Sequence, residues 1–177
     1  MSRISKEYGS GLFALANEEH VEKTILDEMR CLKEVFSPEY IRILSDPSIT
    51  KEQRIGIVSE ALDGRVDRYL VNFIKLMTER NLAGEILRSF DEYEHLYYDH
   101  FDIVKVRCES AVELTETEKE KLHFKLEAHI GKIVEIEYFV VPKLVGGIRL
   151  LYDGHRIDET VRKKLLDIAG RLSHTVV

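Results

Sequence analysis

The sequence predicts a fold of the α plus α+β class: an N-terminal six-helix bundle followed by a small β-α-β-β-α C-terminal module. Three observations carry this prediction. Apolar residues recur at helical spacing from Ile4 to about His100, and the spacing becomes that of strands near Asp102. Asp153-Gly154 is a residue pair that two-residue hairpins favour. We therefore expect a helical domain over residues 1–102 and an α/β domain over residues 103–177.

The N-terminal half contains several start and stop signals for helices. Ser37-Pro38 has the pattern of an N-cap followed by proline at the first helical position. Thr50 and Gln53 have the spacing of a capping box, and Gly64 separates two apolar stripes. The six predicted helices are marked by apolar residues within 4–15, 21–36, 38–44, 55–62, 70–77 and 82–97.

The C-terminal half alternates strand and helix signals. A β-rich run at 103–108 predicts a first strand, and Thr115 with Glu118 forms a second capping box for a helix that ends at Gly131. Residues 133–140 alternate as a second strand, and two further strands flank Asp153-Gly154. The stripe of a terminal helix follows at Val161, Leu165, Ile168, Ala169 and Leu172.

The charge distribution limits the classes of partner. Residues 1–104 hold 13 Lys and Arg against 20 Asp and Glu, a balance of −7, whereas residues 105–177 hold 13 against 12, a balance of +1. Neither half carries the strong positive charge that would attract nucleic acid, and no run of aromatic residues suits base stacking. No apolar run is long enough to span a membrane, so we expect a soluble cytosolic chain with no direct membrane insertion.

The sequence offers little for catalysis. Gly146-Gly147 is followed by strand-like residues without the Lys and Ser or Thr of a phosphate loop, so the pair predicts a strand entry that cannot accept a Cβ. The histidines lack metal-ligand spacing, and Cys31 and Cys108 lack motif spacing. We therefore expect no catalytic residue, no cofactor and no metal.

The first predicted helix contains small residues that lower its stability. Gly9, Ser10 and Gly11 lie within it, and each glycine costs about 1 kcal/mol relative to alanine. Such residues commonly allow another backbone to come close. That neighbour is either another helix of the same bundle or a helix of a partner protein that docks in a groove.

Three segments resemble a known family. They are residues 8–16 (Tyr-Gly-Ser-Gly-Leu-Phe-Ala-Leu-Ala), residues 110–115 with the helix that ends at Gly131-Lys132, and residues 142–148 (Pro-Lys-Leu-Val-Gly-Gly-Ile). The third segment is followed by Asp153-Gly154 and Ile157-Asp158. Together they resemble the delta subunit of bacterial F-type ATP synthase, equivalent to the mitochondrial oligomycin-sensitivity-conferring protein.

The resemblance implies a non-catalytic stator subunit that links the catalytic hexamer to the peripheral stalk, so that proton-driven rotation is coupled to ATP synthesis. It implies that the helical domain binds N-terminal helices of alpha subunits, and that the α/β domain binds the C-terminal ends of b subunits. The implied alpha-binding residues are Tyr8, Gly9, Gly11, Leu12 and Leu15. The structural motif of the second domain comprises Pro142, Gly146, Gly147, Asp153, Gly154 and Asp158.

The same resemblance implies a monomer within the complex, held peripherally at the cytoplasmic face of the bacterial cell membrane. The alternative function is a generic two-module adaptor or assembly factor for other proteins. An enzyme with a site assembled from scattered histidines and carboxylates is a third interpretation, which no motif favours.

Overall fold

The computed structural model of the chain describes residues 2–161. Contacts divide the chain into two units, Met1–Asp99 and His100–Val177. The first unit is helical. Its helices are α1 (Arg3–Glu18), α2 (Glu22–Val35), α3 (Pro38–Leu44), α4 (Lys51–Leu62), α5 (Arg68–Glu79) and α6 (Ile86–His100).

The caps of the helices follow the sequence signals. The Ser37 hydroxyl accepts a hydrogen bond from the Tyr40 amide, and Pro38 occupies the first position of α3. Thr50 and Gln53 form the expected capping box at α4. The sixth helix was expected from Leu82, but a 3-10 turn at Ala83–Glu85 precedes α6. Gly84, a poor helix former, lies in this turn.

The core of the first unit surrounds α6. Phe90 and Tyr93 are fully buried. The Phe90 ring lies 6.3 Å from that of Phe36, the residue that caps α2, and 6.2 Å from that of Phe73 on α5. Tyr93 packs edge-on against Phe13 of α1 at 5.4 Å and donates its hydroxyl proton to the carbonyl of Glu22 at 3.0 Å. These contacts fix three helices on α6, and burial raises the pKa of the Tyr93 phenol.

The second unit contains a four-stranded sheet and one described helix, α7 (Glu116–Ile130). The strands are β1 (Ile103–Ser110), β2 (Ile133–Val140), β3 (Ile148–Tyr152) and β4 (His155–Asp158). Their order is β2-β1-β3-β4, with β1 and β2 parallel and the other pairs antiparallel. The helix α7 connects the two parallel strands, as such a crossover requires. The core of this unit comprises Val104, Val106, Cys108, Leu126, Val134 and Leu150.

Left-handed backbone conformations shape the turns of the sheet. Asp153 (φ 44°) and Gly154 (φ 75°) both occupy the left-handed region, as a type I′ turn between β3 and β4 demands. Gly147 has φ 78°, and a Cβ there would overlap the Glu159 carbonyl oxygen. The expectation of a strand entry that excludes a Cβ is therefore confirmed.

The mixed helical and four-stranded architecture agrees with the predicted α and α+β content. The first strand is two residues longer than predicted because Ser110 still pairs with Val140 on one side and Ile148 on the other. The helix predicted from Val161 onward lies outside the described residues, apart from Val161 itself.

Asp158 connects the end of β4 to the rest of the sheet. Its carboxylate accepts hydrogen bonds from Arg149 at 3.1 Å, from Arg156 at 2.6 Å and from the Thr160 hydroxyl at 2.6 Å. The bonds from Thr160 and Arg156 hold the pKa of Asp158 well below its ordinary range. The ionised carboxylate therefore stabilises the folded state.

We predict that Asp158→Asn lowers the free energy of unfolding of the second unit by about 2 kcal/mol at pH 7, the size of hydrogen bonds to a charged group. Because folding lowers this pKa, the contribution is complete above the unfolded value of about 3.9 and is lost as the pH falls below it. The difference in the free energy of unfolding between the variant and the natural chain should therefore shrink as the pH falls from 5 to 2.

Urea unfolding followed through the amide signals of β1 and β3 measures this effect. Asp153→Asn is the matched control, since it removes one exposed carboxylate and keeps a residue that accepts the left-handed conformation. An equal loss of stability in both variants would contradict the assigned role of Asp158.

Candidate functional site

The helices α1 and α5 lie side by side and run in opposite directions. Arg80, just after α5, donates a hydrogen bond of 2.8 Å to the hydroxyl of Tyr8 in the first half of α1. Arg68 at the start of α5 interacts electrostatically with Glu19 at the end of α1. An open groove remains between the two helices.

The groove has a volume of about 490 Å³. Both walls use residues spaced three and four apart, which share one helix face. The lining of α1 comprises Glu7, Tyr8, Gly11, Leu12 and Leu15. The lining of α5 and the residue that follows it comprises Tyr69, Asn72, Phe73, Leu76 and Arg80.

The floor of the groove is apolar, and its walls are partly open to solvent. Leu12 and Phe73 are buried at 4% and 7% exposure and form the floor. Leu15 on the α1 wall and Leu76 on the α5 wall remain 37% and 38% exposed. A Cβ at Gly11 would meet no atom within 4 Å, so this glycine leaves a notch in the α1 wall. Such a surface suits the apolar face of a helix.

Gly9 lies away from the groove, although the resemblance grouped it with the other four residues. It is buried against α6, where a Cβ would lie 2.6 Å from the Ser89 carbonyl oxygen and 2.8 Å from the Glu92 Cβ. The first explanation, close approach of another helix of the same unit, applies to Gly9. Gly9 allows close packing within the unit, and Gly11 opens a surface. The buried positions Ser5, Gly9, Leu12 and Ala16 already share one helical stripe in the sequence.

The α5 wall was missed by the sequence reasoning. That reasoning placed one stripe on α5, through Leu70, Phe73, Ile74 and Met77. Tyr69 and Leu76 extend the apolar surface of α5 to a second face. A helix that is apolar on more than one face was the available signal, because a single core-facing stripe leaves the opposite side polar.

Both ends of the groove carry an arginine stacked on a tyrosine. The guanidinium of Arg80 lies 5.9 Å from the centre of the Tyr8 ring, and that of Arg68 lies 4.6 Å from the centre of the Tyr69 ring. Arg68 also donates to the Tyr69 hydroxyl at 2.6 Å. These contacts hold the two tyrosines in place at the groove ends.

The groups that catalysis would need are dispersed. Within residues 2–161, no group of three His, Cys, Asp or Glu side chains could hold a metal ion. Burial raises the pKa of the Cys108 thiol to about 11, which suppresses the reactive thiolate. His123 pairs with Glu127 at 3.5 Å on the surface of α7. None of the helices in this described range is long and apolar enough to cross a membrane.

The motif residues of the second unit have conformational roles. Pro142 begins a 3-10 turn, Gly147 brings the chain against the backbone of Glu159, and Asp153-Gly154 closes the hairpin. Gly146 faces the side chain of Val161, to which an added Cβ would come within 3.1 Å. Gly146, Gly147 and Asp158 contact the segment that follows β4.

The family of the chain is decided by its match to a sequence model. The model of the ATP synthase delta (OSCP) subunit matches residues 4–172. The chain belongs to this family. The predicted resemblance is therefore confirmed.

Bacterial relatives agree over nearly the whole length. An ATP synthase subunit delta from Lachnoclostridium phytofermentans is 31% identical over 172 residues, which cover 96% of this chain and 94% of the relative. One from Parabacteroides distasonis is 32% identical over 169 residues, with 93% of each chain covered. The fold is similar to a chain of the Toxoplasma gondii mitochondrial ATP synthase hexamer, with a TM-score of 0.71, 12% identity and coverage of 97% of this chain and 98% of that one.

Membership in the delta (OSCP) family makes this chain a stator subunit of the membrane-bound F-type ATP synthase. It is a structural subunit and not an enzyme, as expected. Its contribution to ATP synthesis and ion transport is made through the complex.

The two glycines of α1 provide a matched test of this geometry. We predict that Gly9→Ala lowers the free energy of unfolding by about 1–3 kcal/mol, because its methyl group would press on the α6 backbone. Gly11→Ala should raise it by about 0.5–1 kcal/mol, because alanine favours the helix and meets nothing there. Urea unfolding of both variants measures the difference, and equal effects would show that α1 does not approach α6 as described.

Proposed function

We propose that the groove between α1 and α5 binds the N-terminal helix of an alpha subunit of the catalytic hexamer. The supporting observation is the groove itself, since it is apolar, helix-lined on both sides and open over about 490 Å³. Four of the five residues implied by the family resemblance line it: Tyr8, Gly11, Leu12 and Leu15.

We further propose that residues 1–102 form a single six-helix bundle as the hexamer-binding domain, and that residues 103–177 bind the b subunits of the peripheral stalk. The second unit has an apolar surface of its own. Phe124 on α7 is 77% exposed and Ile133 on β2 is 56% exposed, and both line a hollow of about 730 Å³. Exposed aromatic residues of this kind commonly anchor protein interfaces.

A stator must hold the hexamer against the torque of the rotor. Slow dissociation is therefore needed, and affinity differences among related complexes lie mostly in the off-rate. Apolar contacts suit this need better than exposed ion pairs, because salt does not screen them. Covering the exposed parts of Leu15 and Leu76 would contribute about 1 kcal/mol each. The hexamer and the stalk bind at separate surfaces. Once one partner is bound within the complex, the effective concentration of the other is raised, which strengthens the assembly.

The location follows from the assembly. In a bacterial cell the catalytic hexamer faces the cytoplasm, so the subunit would act as a monomer at the cytoplasmic face of the cell membrane, held there by its partners. The Lachnoclostridium and Parabacteroides relatives, which are similar over nearly the whole length, are bacterial delta subunits, and this supports the placement.

Leu76→Glu should abolish most of the affinity for a synthetic alpha-subunit N-terminal peptide, by at least about 30-fold, because it places a charge in the apolar groove. Leu76 is 38% exposed, so the fold should tolerate the change. Ile43→Glu is the matched control, as Ile43 is 40% exposed on α3 and does not line the groove. Calorimetry on the full chain measures both. Equal affinities for the two variants would contradict the groove as the binding site.

Phe124→Glu should separate the two binding functions. We expect this variant to lose capture of the b subunits from solubilised membranes while its affinity for the alpha peptide stays unchanged. Phe124 is largely exposed, so its replacement should not disturb the core of the second unit. Retained capture of the b subunits would place their binding surface elsewhere.

A further inference from the structure

One end of the groove carries opposite charges on its two walls. Glu7 of α1 and Arg80 after α5 both line the groove near Tyr8, and both are exposed. Within residues 2–161, no salt bridge joins the carboxylate of Glu7 or the guanidinium of Arg80 to an opposite charge. The guanidinium donates a hydrogen bond to the Tyr8 hydroxyl and acts electrostatically on Glu79, its neighbour in the chain. An arginine has five N–H donors, so most of its capacity remains available.

Other charges of the same unit are arranged differently. Lys23 pairs with Asp27 at 3.0 Å on α2, and Lys75 pairs with Asp63 at 2.8 Å. Lys51 and Glu79 are joined across α4 and α5 at 2.6 Å. At the groove, by contrast, Arg80 and Glu7 lie on opposite walls and do not form an ion pair with each other.

This arrangement has a direction. A helix that lies in the groove turns one flank toward α1 and the other toward α5. If the helix is reversed end for end, the residues that met Glu7 and Arg80 move to the opposite end of the groove. Charges flanking an apolar seam fix orientation in coiled coils in the same way.

We propose, on the basis of the function proposed above, that Glu7 and Arg80 set the direction of the bound helix. The occupant is an amphipathic helix with a basic residue on its α1-facing flank and an acidic residue on its α5-facing flank, both level with Tyr8. The apolar residues between them contact Leu12, Leu15 and Leu76. Affinity comes from the apolar contacts, and the two charges favour one orientation because the reversed helix leaves both of them without a charged partner.

The expected effects of these charges are modest and salt-dependent. Exposed ion pairs contribute little individually, and charges at the edge of an interface act mainly on the association rate. Replacing an attraction by a repulsion should therefore weaken binding about three- to tenfold for each wall, and the effect should diminish as salt is added.

The test uses the full chain with Glu7→Lys and Arg80→Glu combined, which keeps the net charge unchanged. The control is Lys23→Glu combined with Asp27→Lys, which reverses an exposed pair outside the groove. The probe is a synthetic alpha-subunit N-terminal peptide from the same ATP synthase, together with versions in which one acidic and one basic residue are exchanged. Surface plasmon resonance at two salt concentrations gives the association and dissociation rates.

We expect the groove variant to bind the natural peptide at least about tenfold more weakly, mainly through the association rate. One exchanged peptide should restore its binding, and the control should match the natural chain. Unchanged affinity of the groove variant, or a loss that no exchanged peptide restores, would overturn the assignment of direction while leaving the groove itself intact. If the natural chain does not bind the peptide at all, the proposed function fails together with this inference.

Discussion

The close approach of α1 to α6 at Gly9 is the constraint on which the groove depends. The helix can lie against the Ser89 carbonyl only because position 9 has no Cβ. This contact buries one face of α1 and leaves the next face, with Tyr8 and Gly11, open beside α5. The start of α1 is held to the same region, because the Ser2 hydroxyl donates to the Glu85 carboxylate at 2.6 Å. The open groove thus results from the packing of the adjacent face of α1.

Buried polar groups contribute to each unit by itself. In the first unit, Arg54 is almost fully buried and donates to the Leu44 carbonyl at 3.0 Å and to the Asn81 side chain at 2.7 Å, which joins the end of α3 to the turn after α5. In the second unit, the carboxylate of Asp158 accepts hydrogen bonds from Arg156 and Thr160 at the end of β4. Charges used in this way stabilise structure. Those left open at the groove are available for a partner.

The sequence predicted the elements better than the surface. Caps and turns were readable because their chemistry is local, as at Thr115, Gly131 and Asp153-Gly154. The opposite placements of Gly9 and Gly11 depend on which neighbour faces each residue, and that is decided by tertiary packing. The α5 wall, with Tyr69 and Leu76, was missed for the same reason. The second apolar face of α5 could be seen in the sequence, but the helix that it would border is known only when both helices are placed.

The central claim is that the groove between α1 and α5 holds the alpha-subunit helix in the assembled enzyme. Its most direct test is a photo-crosslinking residue at Asn72, an exposed lining position, in the intact ATP synthase, with Ile43 as the control position. Mass spectrometry of the crosslinked products identifies the neighbour. The account predicts crosslinks from position 72 to the N-terminal segment of an alpha subunit and none from position 43. Crosslinks from position 72 to a b subunit, or to no residue of an alpha subunit, would contradict it.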